Sequence, residues 1–205
     1  MPKHQTIFIF ILVLISLSFT ACYEEEKKVE SSKILLTGKP SETHYNLAQE
    51  HLLQGEYQEA LTAHFKQLEE DLKYYEDDSL EIALSYNDIG FVYTELKDYD
   101  KALVYYKKTM TIDNLRLDIN STERATTYFN VASVYAELKN YDEAIGYYQK
   151  AFNIDKQVLK VYDEEQLLYY EALAEMYEKA SKMKDSLEYR KKALAFQEHG
   201  YGKED

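Results

Sequence analysis

The chain has 205 residues, enough for one sizeable domain or a short array of repeats, and its 45% apolar and 30% charged content is globular. Its 37 acidic against 24 basic side chains, a formal charge of −13, exclude the clustered Lys and Arg that neutralise nucleic-acid phosphates. The surplus permits basic or neutral partners, and a charged surface that keeps the protein soluble accounts for it first.

Residues 1–21 read as a leader outside the fold. Lys3 gives a basic start, Ile7 to Leu17 is a nearly unbroken apolar run, and the small residues Thr20 and Ala21 precede Cys22. That is a secretory signal pattern, with an apolar core short for a membrane-spanning helix. Cys22 is the only cysteine, so no disulfide forms within the chain. The run Leu17-Ser18-Phe19-Thr20-Ala21-Cys22 resembles a bacterial lipobox, with Phe19 departing from the usual small or aliphatic residue. The resemblance implies cleavage before Cys22 and several acyl chains on it, which hold a protein stably on a membrane. On this reading the protein belongs to the bacterial envelope, lipid-anchored at the outer membrane, with its periplasmic or surface face left open.

Residues 22–40 read as a lipidated cysteine and an acidic tether. The 18 residues from Tyr23 to Pro40 lack helical periodicity and, extended, reach roughly 60 Å. Glu24-Glu25-Glu26 resembles signals that send some lipoproteins to the cell surface; a solvated charged linker is the simpler account of it. Ile34-Leu35-Leu36 is the one apolar patch, expected to fold back onto the first helices of the domain.

From Ser41 the chain repeats itself with a period of 42. Ala60, Ala102, Ala144 and Ser186 keep that spacing, as do Ala48, Gly90, Ala132 and Ala174. His51, Tyr93, Tyr135 and Tyr177 form a third set; His64, Tyr106, Tyr148 and Arg190 form a fourth. Within one unit, Tyr86, Ile89, Gly90 and Tyr93 lie at i, i+3, i+4 and i+7, one stripe on a helix. Ala102, Tyr106 and Thr109 form the stripe of a second helix, and the small residues allow the two to approach closely. Gly55 suits a helix C-terminus. Ser41, Asp78, Asn120 or Ser121, and Asp163 stand where first helices need N-caps.

Four units in phase resemble the tetratricopeptide repeat, in the long-helix form seen in kinesin light chains. The resemblance implies an all-α fold, a right-handed α-solenoid of four helix–turn–helix units. It covers residues 41–198, in units of about 41–76, 79–119, 121–161 and 163–198, before a tail at 199–205. The last helix, Ser186 to Gln197, carries Arg190, Lys191 and Lys192 as a polar end cap.

No catalytic constellation is present: no GxSxG, no phosphate-cradling glycine loop, no HExxH and no second cysteine. The chain therefore reads as a non-enzyme with no cofactor. His44, His51 and His64 replace aromatic residues of the repeat and are expected to gather inside the first unit. Packing accounts for them; metal binding and a pH response are the two other roles such a cluster allows, and no metal site is assigned.

The family resemblance further implies a concave groove lined by the first helices, here Asn46, Gln49, Asn87, Phe91, Glu95, Asn130, Ser133, Glu137, Glu171, Glu175 and Glu178. Carboxamides donate and accept, which suits an extended peptide backbone, although Asn at these places also occurs as family background. The groove lacks the Lys and Arg with which related chaperone-tail binders clamp a terminal carboxylate. The glutamates of the fourth unit suit a basic or neutral peptide, or form one solvated face. The expected function is a membrane-anchored scaffold or adaptor that binds a peptide segment of another protein. The alternatives are an envelope sensor of a small molecule or glycan, and a structural subunit of an envelope complex.

Overall fold

The computed structural model describes residues 35–158 and 164–200. The leader, Cys22, most of the tether, Asp163 and residues 201–205 lie outside them. Among the described residues there are eight helices and no strand: α1 Thr43–Gln54, α2 Tyr57–Asp71, α3 Leu80–Glu95, α4 Tyr99–Arg116, α5 Thr122–Glu137, α6 Tyr141–Val158, α7 Glu164–Lys179 and α8 Met183–Gly200. Consecutive helices pair into four hairpins, each hairpin packs on the next, and α3 also touches α5. This is the expected α-solenoid. No described helix is long and apolar enough to cross a membrane.

The small residues close each hairpin. Ala48 and Ala60, Ala102, Ala132 and Ala144, and Ala174 and Ser186 are all buried, as is Gly90. At Gly90 the reason for having no side chain is steric: a Cβ there would stand 2.9 Å from Cδ1 and Cε1 of Tyr106. Tyr106 itself is only 1% exposed, so the ring cannot swing away.

Each hairpin turns through one residue in the left-handed region, at the same place in every unit. Gly55 has φ 74°, Lys97 59°, Lys139 61° and Ser181 61°. The next residue's N–H then closes the helix end: Glu56 donates to the His51 carbonyl, Asp98 to Tyr93, Asn140 to Tyr135 and Lys182 to Tyr177, at 2.8–2.9 Å. Gly55 thus acts as expected, and three non-glycine residues accept the same backbone at a cost of about 1 kcal/mol each.

Two N-caps differ from expectation by one residue, and Ser121 caps as expected. Ser79 rather than Asp78 caps α3, its hydroxyl accepting from the Ile82 N–H at 3.3 Å. Asp78, one residue outside the cap, pairs with Arg116 at 2.5 Å. Ser121 caps α5 by accepting from the Arg124 N–H. Before α1 the capping position is Glu42, without a side-chain bond, and Ser41 accepts from the Thr43 N–H instead. Leu36 donates its N–H to the Lys73 carbonyl at 2.7 Å, so this end of the tether lies against the first hairpin. Its side chain remains 52% exposed.

Two devices recur with the 42-residue period. Tyr93 stacks on Tyr105, Tyr135 on Tyr147 and Tyr177 on Tyr189, with ring centroids 5.5–5.6 Å apart and planes within 20°. Between hairpins, a buried aspartate near the end of each of the first three second helices accepts a hydrogen bond from a hydroxyl of the next first helix. Ser85 donates to Asp71 at 2.7 Å, Thr127 to Asp113 at 2.8 Å, and Tyr169 to Asp155. Burial pushes the carboxyls of Asp113 and Asp155 up from the ordinary value, while these hydroxyls pull them back down. The donors answer buried acceptors that would otherwise be left unpaired, which fixes the register of one hairpin on the next.

Candidate functional site

A cleft opens where the C-terminal ends of α3, α5 and α7 come together. Its volume is about 550 Å³, and Thr94, Glu95, Ser133, Glu137, Tyr148 and Glu175 are among its walls. Lys97 and Lys179 also line it, so the groove is less uniformly acidic than its first-helix residues alone suggest. Several of these groups are already engaged. Ser133 and Tyr148 share a hydrogen bond of 3.0 Å, and Tyr99 donates to Glu137 at 3.1 Å. Tyr57 bonds to Glu95, and that bond pushes its hydroxyl above the ordinary phenol value. Burial first, and then Glu137, does the same to Tyr99. Lys179 pairs with Glu175 at 2.7 Å, which raises its ammonium.

Of the residues expected to line one groove, Glu95, Ser133, Glu137 and Glu175 meet in this cleft. The others do not. Asn87 lines a separate, mostly apolar cavity of about 320 Å³ with Leu80, Leu84 and Leu117. Asn130 donates to Asn87 at 3.0 Å across neighbouring hairpins, so these carboxamides bond each other where a peptide backbone was expected. Phe91 is 43% exposed on α3, and Asn46, also exposed, and half-buried Gln49 stand on α1, all outside the cleft. Glu171 and Glu175 line a smaller cavity against α8, and Glu178 pairs with Arg190 within the last hairpin. The fourth-unit glutamates are therefore not one free acidic face. The expected polar cap is only partly so, because α8 also exposes Met183, Leu187 and Leu194.

The tetratricopeptide repeat model matches residues 40–114 and 123–199, most of the chain. The chain belongs to the tetratricopeptide repeat family. Its backbone is similar to that of BtubC (BKLC) from P. vanneervenii, with a TM-score of 0.72 at 16% identity over 79% of this chain. The match spans 65% of BtubC, so this chain corresponds to about two thirds of that protein's length. A chain described as a kinesin light chain of Podosopora anserina, with nearly identical TPR-like repeats, gives 0.70 at 16% identity, covering 77% of this chain and 74% of that one. MamA gives 0.56 at 18% identity, covering 86% and 85%. At such identities the likeness is one of fold. No curated protein matches the sequence significantly.

In this tetratricopeptide chain the first repeat departs most from its siblings, and its histidines do not gather as expected. His44 and His51 lie two turns apart on α1, about 10 Å along the axis, too far to meet at one point. His51 Nδ1 contacts Glu56 Oε2 at 2.6 Å, near the hairpin turn. His64, 2% exposed on α2, faces Tyr45 edge-on with ring centroids 6.3 Å apart. Among the described residues no three His, Cys, Asp or Glu side chains are arranged to hold a metal ion. Burial pushes His64 down to about 4, so it is neutral at physiological pH.

Sequence reasoning missed the acidic setting of His64. It lines a cavity of about 300 Å³ between the first and second hairpins, together with Tyr45, Asp71, Tyr75, Glu81 and Asp88. Burial raises Asp88 to about 6 against the pull of a hydrogen bond from Asn87. The signal available in the sequence was Asp71, Asp113 and Asp155 at a spacing of 42. A carboxylate repeated in register with apolar positions marks a buried, partnered group.

Proposed function

We propose that the protein is an interaction scaffold that captures a segment of another protein in the cleft at the C-terminal ends of α3, α5 and α7. A scaffold for protein–protein contact is what the tetratricopeptide fold supports, and the cleft where Glu95, Ser133, Glu137 and Glu175 converge carries the reading. Its glutamates, set against Lys97 and Lys179, suit a neutral or basic segment that offers both hydrogen-bond donors and acceptors. Cys22, as the lipidated first residue of the mature chain, anchors this scaffold to a bacterial envelope membrane, and the tether gives it reach.

The reading is tested by placing a photo-crosslinking residue at Ser133 or, on α8, at exposed Lys191, in the intact protein in its own membrane. A partner crosslinked from Ser133 and not from Lys191, and lost in Glu137→Lys with Glu175→Lys, is the expected result. Equal crosslinking from both positions, or capture indifferent to the two charge reversals, overturns it. The anchor is tested separately: Cys22→Ser is expected to abolish processing and membrane partitioning, and unchanged partitioning rejects it.

A further inference from the structure

On an open face, α8 repeats the surface by which the other second helices hold the next hairpin. Leu187 stands at the repeat position of Leu61 and Ile145, and Leu194 at that of Leu68 and Met110. Leu61 and Ile145 are 5% and 6% exposed, packed in the clusters that join neighbouring hairpins. Leu187 is 54% exposed, and Met183 and Leu194 are similarly open. The grooves follow the same pattern. Between the first and second hairpins, Asp71 lines a groove closed by Leu84 and Ser85 of α3. Between the second and third, Asp113 lines one closed by Thr126 and Thr127 of α5. The equivalent groove along Arg190, Leu194 and Gln197 of α8, about 440 Å³, has no following helix over it among the described residues. A first helix of the same kind would bury the stripe.

The first helix of this same chain supplies a matching half. Within the array the junction has an antiparallel register: Ser85 bonds to Asp71, Ile89 packs with Leu68, and Val134 packs with Tyr106. Carried to the two ends with the 42-residue period, these pairs become Thr43 with Gln197, Leu47 with Leu194, and Glu50 with Arg190. Thr43 offers a hydroxyl to a carboxamide that can accept in place of the aspartate. Leu47 is exposed, as Leu194 is. The third pair differs in kind. Inside the array it is Val134 with Tyr106 and Met176 with Tyr148, uncharged and buried. At the ends it is an exposed carboxylate and an exposed guanidinium. Arg190 pairs with Glu178 in its own hairpin, and its five donors can serve a second carboxylate.

Charge decides against a symmetric contact. Two α8 helices face to face would set Arg190 and Lys191 against their own copies, whereas residues 41–76 of the first hairpin carry eight carboxylates and two lysines. We propose that a second copy of this chain docks its α1 on α8, extending the array head to tail, with Glu50 of one copy pairing with Arg190 of the other. Such a heterologous contact repeats from copy to copy, building rows, or a ring where the rotation closes. Its exposed charges make it more salt-sensitive than the junctions within the chain.

The mass of the full protein in mild detergent is followed by light scattering over a concentration series, at low and at physiological salt. The wild-type mass is expected to grow with concentration and to fall as salt rises. Glu50→Arg and Arg190→Glu are each expected to raise the dissociation constant about tenfold or more, since each sets like charges against each other at the contact. Mixed in equal amounts, the two variants are expected to associate as wild type does, because each then offers the other an opposite charge. Loss of the internal Arg190–Glu178 pair gives no such rescue. At Lys191, crosslinks between copies of this chain belong to this contact, and crosslinks to a different protein bear on capture in the cleft. A protein that stays monomeric at every concentration, association indifferent to Glu50→Arg, or a mixture no better than either variant alone overturns the proposal.

Discussion

Two desolvated groups of the first two hairpins titrate in opposite senses, and their removal one at a time should expose two opposite pH dependences of stability. Asp88 is raised from 3.8 to about 6 and His64 lowered from 6.5 to about 4, each with burial as the leading cause. A carboxyl whose folded pKa lies above its unfolded one binds its proton more tightly in the folded chain. Asp88 therefore adds stability as pH falls from about 6 toward 3.8, and this is lost again as pH rises. An imidazole whose folded pKa is depressed resists protonation in the folded chain. His64 therefore removes stability as pH falls from 6.5 to about 4. At 1.36 kcal/mol per pKa unit, each is worth about 3 kcal/mol over its full span, so in the wild-type chain they largely offset each other.

The assay is urea unfolding followed by far-UV circular dichroism, repeated at steps from about pH 7 to about pH 4, with each variant compared to wild type so that all other carboxyls cancel. Relative to wild type, Asp88→Asn should lose about 2 kcal/mol of stability across that range, and His64→Phe should gain a similar amount. Difference curves that are flat, or that run in the same direction, refute the reasoning.

Three further substitutions probe the scaffold. Gly90→Ala gains about 1 kcal/mol of helix propensity but drives a Cβ to 2.9 Å from the buried Tyr106 ring, so a net loss of about 1 kcal/mol is expected in chemical denaturation. In a Tyr106→Ala background the same change should become stabilising, and a loss there would show that the ring is not the cause. Thr127→Val leaves the Asp113 carboxyl without its hydroxyl donor and should cost about 1–3 kcal/mol, whereas exposed Thr111→Val should cost almost nothing; equal effects would deny the inter-hairpin role. Lys139→Gly relieves a left-handed residue at the third hairpin turn and should raise stability by about 0.5–1 kcal/mol, seen as a higher melting temperature; a lower one argues against strain at φ 61°.

What could be read from the sequence was set by local geometry. Small residues at a spacing of 42 identify a stacked hairpin because a helix pair cannot nest without them, and all eight such positions are buried. Gly55 announced a turn because it is the residue type that the left-handed region favours. Lys97, Lys139 and Ser181 gave no such sign, since their backbone is imposed by the hairpin around them. Asp78 and Ser79 are both good caps, and only the helix's start at Leu80 decides between them. Glu95, Ser133, Glu137 and Glu175 are brought together by what the family resemblance implies, and one cleft holds all four. Their neighbours' claims on them could not be read this way. The hydroxyls of Tyr57 and Tyr99 reach the glutamates from a different hairpin, and such contacts depend on how units stack.

The same distinction accounts for the pairing of Asn87 with Asn130. One is at the fifth place of its unit and the other at the sixth, 43 residues later, so strict phase would not bring them together. The step between hairpins does, and it converts two candidate recognition groups into a bridge that also presents Asn87 to Asp88. Asp88 is thereby held against the cavity of His64 by a chain of hydrogen bonds starting on α5. Charge at Asp88 and stacking of the second and third hairpins are then coupled through the two carboxamides. Asn130→Ala should shift the pH at which Asp88 protonates without touching it. By releasing Asn87 to donate less firmly to the carboxylate, it should move that midpoint upward from about 6. Carboxyl carbon resonances of Asp88 followed by NMR would read the shift directly, and an unmoved midpoint would show that the bridge carries no information between the two hairpins.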